Sequence, residues 1–291
     1  MSVLMSTPMV DSFMEADCYV VIGNPIAHSK SPEIHARFAA DTAQNIDYRH
    51  LLAPINGFAD AVQEFIQQGG KGANVTVPFK LEAYALATTL TPRAEAAGAV
   101  NTLSFANGQI HGDNTDGIGL VTDIVRNAGF EIAGKRVLLL GAGGAARGVL
   151  LPLMQANPAQ LVLANRTVAN AQALVQQFAQ KFPNQGEIVV SGFTDVASIH
   201  DQFDLIINAT SASLQADVPT VAASIFGPQT LAYDMMYGKQ PTVFMQFANA
   251  QGAMVRDGLG MLVEQASEAF FVWRGVRPHT DVVFSALRAQ L

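Results

Sequence analysis

Leu138-Leu139-Leu140-Gly141-Ala142-Gly143-Gly144-Ala145-Ala146 is the stretch that decides the fold. A continuous apolar run reads as a strand buried on both faces, and it stops at glycines from which a helical pattern departs over residues 145–155. At such a turn Gly141 permits the tight reversal, Gly143 lets the backbone approach a pyrophosphate, and the free amides of the helix start attract that anion. A glycine-rich strand end also serves as an ordinary strand-to-helix turn, but the strand before it and the helix after it favour a nucleotide. The following strand, 161–164, ends in Asn165-Arg166-Thr167. An acidic residue there would bind the free ribose 2′-hydroxyl of NAD, whereas a guanidinium and a hydroxyl suit a 2′-phosphate. The plainer alternative for Arg166 is a solvated residue at a helix start.

Outward from this loop, short β-rich runs alternate with helical patterns, as in βαβ units. Strands are expected at 19–22, 48–53 and 73–77, with helices at 32–43 and 58–67 between them. Two further strands, 100–105 and 109–112, flank Asn107-Gly108, a dipeptide suited to a tight hairpin, and a helix follows over 116–127. After the glycine loop come a helix at 169–181, strands at 187–190, 205–208 and 231–234, and closing helices near 261–274 and 282–290. With 291 residues the chain has room for two domains.

Composition narrows the function. A share of 49% hydrophobic residues against 14% charged supports two cores, and a net charge of −7 with no Lys/Arg run disfavours nucleic acid. The single cysteine, Cys18, excludes an intramolecular disulfide and a multi-cysteine metal site, so no metal is expected. It opens an apolar strand and reads as buried rather than reactive. Residues 1–16 lack the basic start and apolar core of a secretory signal and read as a disordered extension. The one membrane-like stretch, 137–154, is broken by glycines, Arg147 and Pro152, so no membrane partner and a cytoplasmic location are expected.

The first half carries a density of small polar residues at strand ends: Ser29 and Ser31, Asn74 to Lys80, Asn101-Thr102, and Asp113 to Gly117. They could converge on one polyhydroxylated ligand beyond the sheet. Singly, each has a duller role: Ser31-Pro32 as a helix cap with its N1 proline, Lys80 as a surface lysine, Asp116 as a second cap. Taken in order, Gly23-Asn24-Pro25-Ile26-Ala27-His28-Ser29-Lys30-Ser31-Pro32, Asn74-Val75-Thr76-Val77-Pro78-Phe79-Lys80, Gly98-Ala99-Val100-Asn101-Thr102, Gly112-Asp113-Asn114-Thr115-Asp116-Gly117, the glycine loop, Asn165-Arg166-Thr167, Asn208-Ala209-Thr210-Ser211, Tyr233-Asp234-Met235, Tyr237 and Gly258-Leu259-Gly260-Met261-Leu262-Val263-Glu264-Gln265 resemble the shikimate dehydrogenase family from Tyr19 onward.

The resemblance implies a two-domain α/β fold. A discontinuous substrate domain (17–115 and 257–291), to which the C-terminal helices return, would accompany a Rossmann-like doubly wound NADP-binding domain (116–256). It implies NADP(H)-dependent, reversible reduction of 3-dehydroshikimate to shikimate, with Lys80 and Asp116 as the catalytic pair. Ser29, Ser31, Thr76, Asn101, Asp116 and Gln265 would bind the substrate, with Tyr237 beside them. Gly141, Ala142, Gly143, Gly144, Ala145, Asn165, Arg166, Thr167, Met235, Gly258 and Met261 would line the cofactor. The partners expected are this small molecule and, as an option, a second copy of the chain in a homodimer. Two departures stand out. Asn170 replaces a second basic residue three positions after Thr167, and Ser213 replaces the glycine of the family's Asn-Ala-Thr-Ser-x-Gly, where serine resists angles that glycine accepts. Asn170 keeps a quinate/shikimate dehydrogenase of broader substrate and cofactor use in view. A non-catalytic NADP-sensing protein would have no need of both Lys80 and Asp116.

Overall fold

The computed structural model describes residues 16–210, Ala212 and 217–291. The expected disordered extension lies outside the described residues but for Ala16, and so does the Ser213 substitution. The first half runs β1 (Asp17–Gly23), α1 (Ser31–Asp41), β2 (Ile46–Leu52), α2 (Phe58–Gln67), β3 (Gly72–Val75), α3 (Lys80–Leu86), β4 (Thr89–Leu90), α4 (Pro92–Ala97), β5 (Thr102–Ala106) and β6 (Gln109–Asp113). These strands form one mixed sheet in the order β2-β1-β3-β5-β6-β4. The Asn107-Gly108 hairpin is present, with both residues at positive φ, 52° and 72°, as its geometry demands.

Next come α5 (Asp116–Thr122), which runs on into a π-turn over Asp123–Asn127, then β7 (Arg136–Leu140), α6 (Gly144–Gln155), β8 (Gln160–Ala164), α7 (Val168–Lys181), β9 (Ile188–Ser191), β10 (Leu205–Asn208), β11 (Leu231–Asp234), α8 (Val243–Ala250), β12 (Met254–Asp257), α9 (Leu259–Arg274) and α10 (Asp281–Arg288). The second sheet, β12-β11-β10-β7-β8-β9, is parallel throughout. Its strands are apolar on both faces because helices cover both: Leu139 and Ile207 join one core cluster, while Leu138, Leu140 and Ile206 join the other. Strand order reverses between β7 and β10, and that reversal opens the crevice in which doubly wound sheets take ligands.

The C-terminal helices return to the first sheet. Val263 and Phe270 of α9 pack with Ile34 and Phe38 of α1, and Val283 and Leu287 of α10 join the same cluster. Cys18 departs from the sequence reading: it is half-buried at the opening of β1, because the strand is covered only from Tyr19 inward. No helix among the described residues is long and apolar enough to cross a membrane.

Candidate active site

Strand topology assembles the polar cluster. The antiparallel β5 lies between β3 and β6, so that its first residue, Thr102, pairs with Asn74 on one side and Asp113 on the other. Asn101, just before β5, therefore meets the carboxyl ends of β3 and β6. A cavity of about 220 Å³ opens there, and Ser29, Ser31, Thr76, Lys80, Asn101, Asp116, Tyr237 and Gln265 all line it. Met235, Gly258 and Met261, expected beside the cofactor, line this same cavity, while the adjacent Met236 lines the nucleotide crevice. The two spaces thus meet along one loop. Asp234 anchors that loop by accepting from the Met236 amide at 3.1 Å and the Thr242 hydroxyl at 2.6 Å.

Lys80 Nζ donates to Asp116 Oδ2 at 2.6 Å, and Asn101 Nδ2 donates to Asp116 Oδ1 at 2.8 Å. Neither capping reading holds. Lys30, not Ser31, is the N-cap of α1, and Thr115, not Asp116, is that of α5. Each of the two side chains sits one residue inside its helix and turns to the cavity instead. Ser29 donates its hydroxyl to Ser31 Oγ at 3.2 Å and accepts the Ser31 amide, which holds the two oxygens together. Gln265 reaches the cavity from α9, its amide N–H fixed on the Leu262 carbonyl at 2.9 Å. Tyr237 stands at the cavity mouth, 37% exposed, and its phenol is raised by partial burial first and then by the Asp257 carboxylate.

The nucleotide crevice has a volume of about 730 Å³ and is lined by Gly141 to Ala145, Asn165 and Arg166. Gly141 has φ +103°, and a side chain on it would stand 3.1 Å from the Ala209 carbonyl, so the turn needs glycine. A Cβ on Gly143 or Gly144 would meet no protein atom, which leaves that room for a ligand against the unpaired amides opening α6. Arg166 is exposed at the crevice edge. A dinucleotide with a 2′-phosphate fits this donor set. Thr167 stands further out as the N-cap of α7, its carbonyl held by Asn165 Nδ2 at 2.8 Å. Asn74, counted in the sequence among the strand-end polar residues but given no site role, lines the first cavity, and sequence reasoning gave no role to Val75 and Leu262 there or to Phe193, Thr210 and Asp217–Thr220 in the second. Of the polar ones, only Asn74 and Thr210 stand within motifs that carry the family resemblance. Among the described residues no His/Cys/Asp/Glu group could hold a metal ion.

Comparison with known proteins agrees along the chain. Residues 21–103 match the shikimate dehydrogenase substrate binding domain, residues 123–218 the shikimate / quinate 5-dehydrogenase family, and residues 258–288 the shikimate 5′-dehydrogenase C-terminal domain. A shikimate dehydrogenase (NADP(+)) of Herminiimonas arsenicoxydans is 65% identical over 94% of this chain and 98% of its own length. Among solved structures, an Ael1 enzyme from Pseudomonas putida superposes with a TM-score of 0.88 at 47% identity, covering 94% of this chain and 98% of that one. The shikimate 5-dehydrogenase of Thermus thermophilus, solved in complex with NADP(H) and shikimate, gives 0.82 at 30% identity, covering 94% of this chain and 100% of that one. With polar cavity, glycine crevice, topology and sequence in agreement, the chain belongs to the shikimate dehydrogenase (NADP(+)) family.

Proposed function

We propose that the cavity at Lys80 interconverts 3-dehydroshikimate and shikimate with NADP(H) as the redox partner, and that each residue of the site has a distinct role in that reaction. NADPH, when bound, supplies the hydride that reduces the ring ketone. Lys80 donates a proton to the oxygen on which negative charge develops, and in the reverse direction it accepts that proton from the hydroxyl. Asp116 holds the ammonium in place and accepts from a neighbouring substrate hydroxyl. Ser29 and Ser31 take the substrate carboxylate, a pairing that suits two hydroxyl donors kept together. Thr76, Asn101 and Gln265 bind the ring hydroxyls, and Tyr237 donates its neutral O–H. Gly141 to Ala145 cradle the pyrophosphate, Asn165, Arg166 and Thr167 the 2′-phosphate end, and Met235, Gly258 and Met261 the reactive ring. Residues 17–115 with 257–291 act as the substrate lobe and 116–256 as the nucleotide lobe.

The observation that carries this reading is the 2.6 Å Lys80–Asp116 pair, set in a polar cavity that meets the nucleotide crevice along a single loop. A sensor would have no use for a positioned proton donor at that junction. The test is NADPH consumption with 3-dehydroshikimate, beside NAD- and NADP-dependent oxidation of shikimate and quinate. Lys80→Ala should lower kcat about 10²- to 10⁴-fold with a smaller change in KM. A variant that kept roughly a third of wild-type kcat would remove Lys80 from the chemistry, since that loss is far below what general acid catalysis contributes.

A further inference from the structure

We infer that Tyr48 and Thr102, neither of which borders the cavity, are positioning residues within a one-way chain of hydrogen-bond donors that ends on Asp116. The direction follows from two backbone groups whose polarity is not in question. The Asn101 side chain receives the Thr115 backbone N–H at 2.9 Å, so the receiving atom is its oxygen, and the nitrogen is the end that faces Asp116. The Asn74 side chain reaches the Asn101 backbone carbonyl at 3.3 Å, so that end is nitrogen, and its oxygen faces Tyr48. Every hydroxyl between them is then oriented. Tyr48 O–H donates to Asn74 Oδ1 at 2.7 Å, and Asn74 Nδ2 to Thr102 Oγ1 at 3.2 Å; the Tyr48 oxygen also has the Ser31 hydroxyl of the cavity as a partner. Thr102 O–H donates to Asn101 Oδ1 at 2.8 Å, and Asn101 Nδ2 to Asp116 Oδ1.

Each donor polarises the next, and Tyr48, Asn74, Thr102 and Asn101 are all nearly or wholly shielded from water, so the effect accumulates at the carboxylate. With Oδ1 engaged by Asn101, Asp116 presents Oδ2 to Lys80, which fixes the ammonium relative to the substrate. Asn101 gains a restriction as well: its oxygen accepts from Thr102 and from both the amide and the hydroxyl of Thr115. It can meet a substrate oxygen only as a donor, and only through the second Nδ2 hydrogen, which here reaches Thr115 Oγ1 at 3.0 Å and Gln265 Oε1 at 3.5 Å.

The inference rests on the proposed roles of Lys80 and Asp116, so Asp116→Asn is measured beside the chain variants. Steady-state oxidation of shikimate with NADP⁺ is followed for Tyr48→Phe, Thr102→Val, the double variant and Thr102→Ser. Phenylalanine keeps the ring that stacks on His35, 4.3 Å away. The expected result is a kcat lower by about two- to threefold in Tyr48→Phe and about five- to tenfold in Thr102→Val, with KM for shikimate within about twofold. The double variant should be no slower than Thr102→Val, because the upstream donor is already cut off, and Thr102→Ser should restore near-wild-type kcat. Multiplying losses, losses in KM alone, or a Tyr48→Phe enzyme as fast as wild type would overturn the chain. If Asp116→Asn remained fully active, the proposed catalytic pair would fail instead.

Discussion

At the scale of single residues, His35 makes the protein sensitive to pH although it is shut off from water. It is fully buried, stacked on Tyr48, and neither ring nitrogen makes a hydrogen bond; Asn74 is the polar group that acts on it, weakly. Burial drives its pKa from 6.5 down to about 3. Between those values the unfolded chain binds a proton that the folded chain refuses, so stability falls as pH drops from about 6.5 towards 3. From pH 7 to pH 5 this one group should cost about 2 kcal/mol. His35→Phe should flatten that segment of the stability curve, measured by urea unfolding at the two pH values; an unchanged slope would mean that other groups set the acid sensitivity. Arg166 offers a second test. Asn170 gives only a neutral amide, so preference for NADP over NAD should rest mainly on this one guanidinium. A charged hydrogen bond of about 1.5–3 kcal/mol corresponds to a roughly ten- to hundredfold ratio in kcat/KM. Arg166→Ala should bring the cofactors near parity and Asn170→Arg should widen the gap, as kcat/KM for both cofactors in the three proteins would reveal.

At the scale of elements, α5 is the piece on which the site depends. It begins at Asp116, and its glycines let two neighbours come in close: a Cβ on Gly117 would lie 2.5 Å from the Gly148 carbonyl of α6, and one on Gly119 would lie 2.7 Å from the Gln265 amide of α9. Gly119→Ala must push α9 away from α5 and drag Gln265 out of the cavity. We expect a loss of about 1–3 kcal/mol, a Tm lower by roughly 3–10 °C, and weaker shikimate binding with NADPH binding retained. Calorimetry with each ligand separates these effects. The sequence reading found the elements with clear periodicity or punctuation, from β1 and α1 through β7, α6 and the Asn107-Gly108 hairpin to α9 and α10, and had no counterpart for α3, β4, α4, α8 and β12. Several of these owe their form to partners. Met254-Val255-Arg256-Asp257 shows no alternation and becomes β12 by pairing with β11, while α3 and α4 are too short for a helical period. The π-turn at Asp123 is set by tertiary contacts, since this fully buried carboxylate accepts from Nε and Nη2 of Arg256 and from the Tyr233 hydroxyl. None of those contacts is legible locally.

For the whole molecule, the order of motifs along the chain was enough to foresee two α/β units and a cleft, because each glycine or polar cluster closes a strand. Residues such as Phe193 and Val218 that line the cleft were not legible, since they acquire that position only when the second sheet forms. The fold also carries an optical consequence. The protein has one tryptophan, Trp273, and it sits wholly among first-sheet partners: its indole N–H donates to the Leu103 carbonyl at 3.0 Å and its ring lies 4.7 Å from Tyr19. Tryptophan emission, excited selectively over tyrosine, therefore watches one lobe only, since the nucleotide sheet carries Tyr233 but no tryptophan. Because α5 contacts both α6 and α9, we expect the two lobes to unfold together. NADPH at about 100 times its Kd should then delay the loss of Trp273 emission by the equivalent of about 2.7 kcal/mol, even though it docks on the silent lobe. A fluorescence midpoint indifferent to NADPH, with circular dichroism shifting alone, would show that the lobes melt independently.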